Sequence, residues 1–244
     1  MEISAAEWTV AGRRVSAAAG SVVGSRYREN YDVLHLDPDR PLAVVADGMG
    51  DGPGSRAAGR TAVGTFVRGS ALTPYPGGLR SAIAEVQRDV RAAGRGLPGL
   101  TGCTLTAFVA DPADGSAWLA QLGDSRAYRL RDGLLELLTV DHTVAWLGLL
   151  NGWYPADSRQ AHADRYRLTR YAGHPGEPEA DLLNVSLRPG DVLLLCTDGI
   201  ADQVAFHRIG EVLTAAPAAA AESLLADTLP VGADNATAVV MRVS

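Results

Sequence analysis

Short apolar runs, each closed by Gly, Asp or Pro, recur along the chain. Runs of this length between turn residues read as strands. The pattern predicts strands over Tyr31–Leu36, Leu42–Ala46, Thr104–Ala110, Ala117–Leu122, Ala127–Arg131, Leu134–Leu138, Val192–Cys196 and Ala236–Val243. Pro112-Ala113-Asp114-Gly115 and Arg131-Asp132-Gly133 read as hairpin turns, because Asp-Gly accepts the positive φ that such turns require. Two segments carry a helical period instead. Ser55–Gly69 opens on a good N-cap residue, and Gly78–Ala93 places Leu79, Ile83, Val86 and Val90 on one face. Asp202–Leu229 is Ala-rich and is expected to be helical with breaks near Gly210 and Pro217. Asp141–Arg170 has weak periodicity and reads as a lobe inserted over a site. With no repeat or linker in view, residues 1–244 read as one domain of segregated α and β elements, an α+β fold.

Composition narrows the chemistry. The chain has 244 residues, 47% of them hydrophobic and 20% charged, enough to bury a sizeable core. Its net charge of −6 argues against a nucleic-acid partner. Every basic residue is Arg, so mechanisms that need a lysine are excluded, among them the P-loop. Cys103 and Cys196 sit in apolar stretches without a CxxC pair, which reads as two reduced, buried thiols. The first twenty residues lack the apolar stretch of a signal peptide, and no apolar run is long enough to span a membrane. A cytoplasmic, monomeric protein is expected.

Aspartates end several of the apolar runs beside glycine or another small residue: VVADG at Val44–Gly48, AQLGDS at Ala120–Ser125, LLLCTDG at Leu193–Gly199 and VGADNAT at Val231–Thr237. Taken singly, each reads as a turn residue or a cap. Four of one form suggest convergence, and like charges brought that close repel strongly. A hard divalent cation relieves the repulsion, and two such ions can polarise a phosphoryl oxygen and activate water. The glycine-rich loop after Asp47 does not fit GxGxxG, because Pro53 or Ser55 falls where the third glycine belongs. No GxSxG nucleophile elbow occurs either.

In chain order, Asn30-Tyr31-Asp32, Val45–Gly50 (VADGMG), Gly102-Cys103-Thr104, Gly123–Tyr128 (GDSRAY), Thr139–Thr143 (TVDHT), Cys196–Asp202 (CTDGIAD) and Asp234-Asn235 form an ordered set over nearly the whole chain. That set resembles the metal-dependent protein serine/threonine phosphatases, the PPM or type 2C family, especially its bacterial single-domain members. The resemblance implies a four-layer αββα sandwich of two antiparallel sheets flanked by helices. It implies that Asp47 bridges two Mn²⁺ or Mg²⁺ ions, that the Gly48 carbonyl binds one, and that Asp198 and Asp234 complete the other site. Asp32 would hold waters in the outer shell, and Asp124 and Asp202 would bind a third, weaker ion. The reaction implied is hydrolysis of phosphoserine or phosphothreonine by a metal-activated bridging water without a phosphoenzyme. The implied partner is a protein phosphorylated by a serine/threonine kinase.

The chain departs from that pattern in four places. The family's phosphate-gripping Arg, five residues before the first Asp, is Tyr27 here, flanked by Arg26 and Arg28 as replacement candidates. In a strand, a shift of one residue would turn either away. Tyr31 replaces the usual acid or amide, Met49 stands where some members carry a His, and Asp51 replaces a glycine. His142 is expected to make a structural hydrogen bond, and Trp146, Trp153 and Tyr154 to form the small core of the inserted lobe. The rival reading is a degenerate phosphatase-like module that acts by binding metal or a partner. A third makes the chain the antagonist in a partner-switching pathway.

Overall fold

Strand-length apolar runs form two antiparallel sheets because both faces of the central strands are buried. The computed structural model describes residues 1–70, 75–230 and 232–244; Val231, which opens the VGADNAT stretch, lies outside them. One sheet holds β1 (Ile3–Val10), β2 (Arg13–Val22), β7 (Arg126–Arg131), β8 (Leu134–Leu137), β10 (Val192–Cys196) and β11 (Ala236–Val243), in the order β1-β2-β11-β10-β7-β8. The other holds β3 (Val33–Leu36), β4 (Leu42–Ala46), β5 (Leu105–Ala110), β6 (Ser116–Leu122) and β9 (Asp181–Ser186), in the order β3-β4-β5-β6-β9. The sheets pack face to face over a core that includes Trp8, Ala43, Val45, Phe108, Leu193 and Leu195. Helices α1 (Pro53–Ser70) and α2 (Pro76–Ala93) cover the outer face of the five-stranded sheet through Phe66, Leu79 and Val86. Helices α5 (Asp198–Ala201), α6 (Phe206–Val212) and α7 (Pro217–Thr228) cover the other, packing Ile200, Ile209 and Leu224 on Leu194 and Val240. Within β10, Leu193 and Leu195 face the partner sheet while Val192, Leu194 and Cys196 face the helices. The same holds for β4, which is why these strands read as unbroken apolar runs rather than alternations.

All eight expected strands form, with shifted ends: Tyr31 and Leu138 lie outside β3 and β8. Three strands were not anticipated. The sequence of β2, RRVSAAAGSV, is rich in Ala and Gly, which are weak strand formers, and it pairs because β1 and β11 flank it. The edge strand β9 is half-exposed and carries no clean alternation. Gly210 does not break a helix but lies inside α6; the chain bends at 202–205 and 213–216 instead. The inserted segment contains two short helices, α3 (Val144–Leu150) and α4 (Arg159–Asp164). Asp132 and Gly133 take φ of 51° and 79°, as the β7–β8 hairpin turn requires. Among the described residues, no helix is long and apolar enough to cross a membrane.

Register decides which strand ends share one end of the sandwich. Cys196 at the end of β10 pairs with Ala238 near the start of β11 and with Arg126 at the start of β7. Ala236 pairs with Val22 at the end of β2, and Val33 at the start of β3 pairs with Ala46 at the end of β4. Asp32, Asp47, Asp124, Asp198 and Asp234 therefore all emerge at this end.

Glycines allow the loops there to touch. A Cβ on Gly199 would lie 1.9 Å from the Asn235 carbonyl oxygen, and one on Gly24 would lie 2.0 Å from that of Asp234. Gly199→Ala should therefore lower stability by about 1–3 kcal/mol, because backbone has to move to admit the methyl group. Urea unfolding would check this; a loss below about 0.5 kcal/mol would mean that the loops are not in contact.

Candidate metal centre

Asp47 follows the last residue of β4, and its backbone is clamped before its side chain enters the site. Its N–H donates to Thr104 Oγ1 at 2.8 Å, and its carbonyl accepts the Thr104 N–H at 2.8 Å. Asp198 opens α5 directly after Thr197, and Asp234 lies two residues before the start of β11. With Asp124 and Asp202 they line a cleft of about 580 Å³, whose walls include Arg26, Tyr27, Tyr31, Met49, Leu100, Thr104, Tyr166 and Leu168. Gly48 also lines it.

The electrostatics of the cleft are dominated by buried carboxylates. Burial, then the charge of Asp198 and of Asp32, holds the Asp47 carboxyl well above its ordinary range. Asp124 is raised in the same way by burial and by Asp198. Asp198 is pushed up to about 6 by burial and by Asp234 and Asp202. Asp234 is also raised, mainly by burial. The charge of Asp198 opposes the ionisation of Asp47 in a buried setting, so like charge is crowded in the cleft.

Asp32 sits behind this group, 8% exposed. Its Oδ2 accepts from Thr197 Oγ1 at 2.8 Å and from Thr237 Oγ1 at 2.7 Å, and burial raises it to about 7 against those two bonds. The sequence reading gave no role to these threonines, nor to the Thr104 hydroxyl. Their signal lay in the CTDG and DNAT stretches, where each stands beside or near a site aspartate.

The donor set suits a hard cation. Asp198 Oδ1 is buried without a hydrogen-bond partner, an arrangement that costs free energy unless something positive sits against it. Among the described residues no three Asp, Glu, His or Cys side chains close into a ready-made cage. Carboxylates on separate loops instead match ions such as Mg²⁺ or Mn²⁺ that take few protein oxygens and keep several waters.

The remaining expected residues fall as follows. Asp202 reaches the cleft but forms an ion pair with Arg165, and lies 3.9 Å from Arg126, which also grips Asp141 at 2.6 Å. A cation at Asp202 must compete with both arginines. Arg26 lines the cleft; Arg28 is exposed and does not. Residues 23–32 form no strand, so strand alternation does not govern which arginine points inward. Asp51 is exposed, and its carbonyl accepts the Tyr31 hydroxyl at 2.7 Å. His142 has a structural place: its Nδ1 accepts from the Gly123 N–H at 3.2 Å and its Nε2 faces Asp181 at 3.1 Å. Tyr154 is half-buried, its hydroxyl bonding the Val144 carbonyl and Asp164, while Trp146 and Trp153 are 38% and 59% exposed, so the three do not form the expected core. The lobe's two helices are too short to enclose all three rings.

The sequence model of the protein phosphatase 2C family matches residues 29–231. The chain belongs to that family. Among its relatives, the serine/threonine phosphatase stp of Listeria monocytogenes is 29% identical over 192 residues, 76% of each chain. The PPM Ser-Thr phosphatase MsPP of Mycobacterium smegmatis, crystallised with cacodylate, superposes with a TM-score of 0.81 at 32% identity, covering 93% of this chain and 97% of that one. The catalytic domain of the serine/threonine protein phosphatase PstP, crystallised with two manganese ions, gives 0.76 at 29% identity over 94% and 98%. The two antiparallel sheets flanked by helices are those of these phosphatases. In this phosphatase 2C family member the cleft is lined by Asp47, Asp124, Asp198, Asp202 and Asp234 together with Tyr27, Tyr31 and Met49.

The raised carboxyls make stability depend on pH. A carboxyl that titrates near 7 folded and near 3.8 unfolded makes the folded chain bind more protons between those values, so stability falls as pH rises through that window. Asp32→Asn keeps an oxygen for the two threonines and removes the charge. In EDTA, its melting temperature relative to the native chain should therefore rise steadily from pH 5 to pH 8. A difference that stays constant over this range would contradict the burial of an ionising Asp32.

Proposed function

We propose that the chain is a metal-dependent protein serine/threonine phosphatase, hydrolysing phosphoserine and phosphothreonine by direct attack of an activated water. The observation that carries this reading is the convergence of Asp47, Asp198 and Asp234 on one cleft, with Asp198 Oδ1 left unpartnered. Two bound Mn²⁺ or Mg²⁺ ions would lower the pKa of water and neutralise charge on the transferring group.

The chain's own residues have separate tasks. Asp47, Asp198 and Asp234, with the Gly48 carbonyl, would hold the ions at the cleft. Asp32, fixed by two threonine hydroxyls, would accept hydrogen bonds from waters on the ions once ionised. Arg26 neutralises and orients the substrate phosphate. No Ser, Cys or His is found among the described residues lining the cleft, and Cys103 and Cys196 are fully buried, so no serine, thiol or imidazole nucleophile is at hand there. A third ion at Asp124 and Asp202 would form only when Arg165 releases Asp202. The substrate in this reading is the product of a serine/threonine kinase, and the chain acts as a cytoplasmic monomer.

Turnover of p-nitrophenyl phosphate should require Mn²⁺, stop with EDTA, and fall by about a hundredfold or more in Asp198→Ala. Absence of turnover in a native chain that still binds Mn²⁺ would instead favour a phosphatase-like module that works by binding.

A further inference from the structure

Among the described residues Arg26 is the one cationic side chain lining the cleft. A phosphate monoester presents three charged oxygens, and a single guanidinium forks onto two. The neighbouring side chain is Tyr27, which also lines the cleft and is half-buried.

The backbone at this point is held firmly. Ser25 donates through its N–H and its hydroxyl to the Gly232 carbonyl at 3.2 and 3.0 Å, and the Arg26 N–H donates to the Ala233 carbonyl at 2.9 Å. Tyr27 closes the turn, its N–H donating to the Gly24 carbonyl at 3.3 Å. The segment is thereby fastened to the loop that carries Asp234. The ring is fixed on both sides. Tyr31 meets it edge-on at 5.7 Å and 80°, and the Arg26 guanidinium lies 5.4 Å from its centroid.

The hydroxyl, by contrast, is free. Those of Tyr31, Tyr128 and Tyr154 each hydrogen bond within the protein, whereas that of Tyr27 has no partner among the described residues. Burial first, and then the charge of Asp234, raises the Tyr27 hydroxyl above its ordinary range against the pull of Arg26, so it keeps its proton. A held, protonated donor thus lines the same cleft as Arg26, Asp47, Asp198 and Asp234.

We infer that Tyr27 is a substrate-binding residue, its hydroxyl donating a hydrogen bond to a phosphoryl oxygen beside the Arg26 guanidinium; this rests on the phosphatase reading above. In the Tyr27–Arg26 pair a neutral donor does part of the work of a second cation, and the ring stacking holds the guanidinium in place as well.

Tyr27→Phe tests this, because it keeps the ring and removes only the donor. Inorganic phosphate would be titrated calorimetrically into the Mn²⁺-loaded native chain and variant, alongside Mn²⁺ affinity and melting temperature. The phosphate dissociation constant should rise about tenfold or more while Mn²⁺ affinity and melting temperature hold, and KM for p-nitrophenyl phosphate should rise in step. Unchanged phosphate affinity would overturn the inference, as would a parallel loss of Mn²⁺ affinity, which would make Tyr27 a prop for the metal loops. Native turnover with unchanged phosphate binding in the variant would sink the role of Tyr27 alone. Phosphate binding weakened in the variant, with no turnover by either protein, would sink the phosphatase reading and keep the binding role.

Discussion

The rest of this structure depends on a repulsion. Five aspartates emerge at one end of a β-sandwich, and burial together with mutual charge drives Asp32, Asp47, Asp124, Asp198 and Asp234 away from their ordinary ionisation. Crowding carboxylates in this way is unfavourable unless positive charge or protons offset it. Divalent cations relieve the conflict, so the repulsion among the carboxylates favours metal binding.

What keeps the carboxylates together is the packing beneath them. Leu193, Leu195, Ala43 and Val45 are locked between the sheets, and the strands bearing them cannot slip without turning their apolar faces outward. The loops then close on one another through glycine and threonine: Gly24 and Gly199 against the 234–235 backbone, Thr104 around Asp47, Thr197 and Thr237 around Asp32. A rigid scaffold with small residues at its rim can hold like charges closer than they would settle by themselves. The inserted lobe is of another kind. Its helices are short, two of its aromatics are exposed, and Arg165 reaches from it to Asp202.

The site was more legible in the sequence than the fold around it. An aspartate that ends an apolar run beside glycine is visible one stretch at a time, and the order of such stretches named the family. Strands buried on both faces, such as β4 and β10, were equally plain. The Ala17-Ala18-Ala19 stretch of β2 gave no strand signal, because its small side chains are held by neighbours far away in sequence, Val239 and Val240 among them. Gly210 misled for the opposite reason: a glycine inside a helix costs only about 1 kcal/mol, which packing of Ile209 and Val212 outweighs. Arg26 could not be separated from Arg28 by spacing, since what orients that segment is hydrogen bonding to Gly232 and Ala233, some 200 residues on.

The most direct test of this electrostatic picture is calorimetric titration of Mn²⁺ into the metal-free chain near pH 6.5, repeated in buffers of different ionisation enthalpy so that protons released can be counted. Binding should be accompanied by net proton release, because carboxyls held protonated by their neighbours must ionise to take the ion. Saturable binding with no proton release would mean that the carboxylates are already charged and separate, and the repulsion from which the site is argued to arise would not exist.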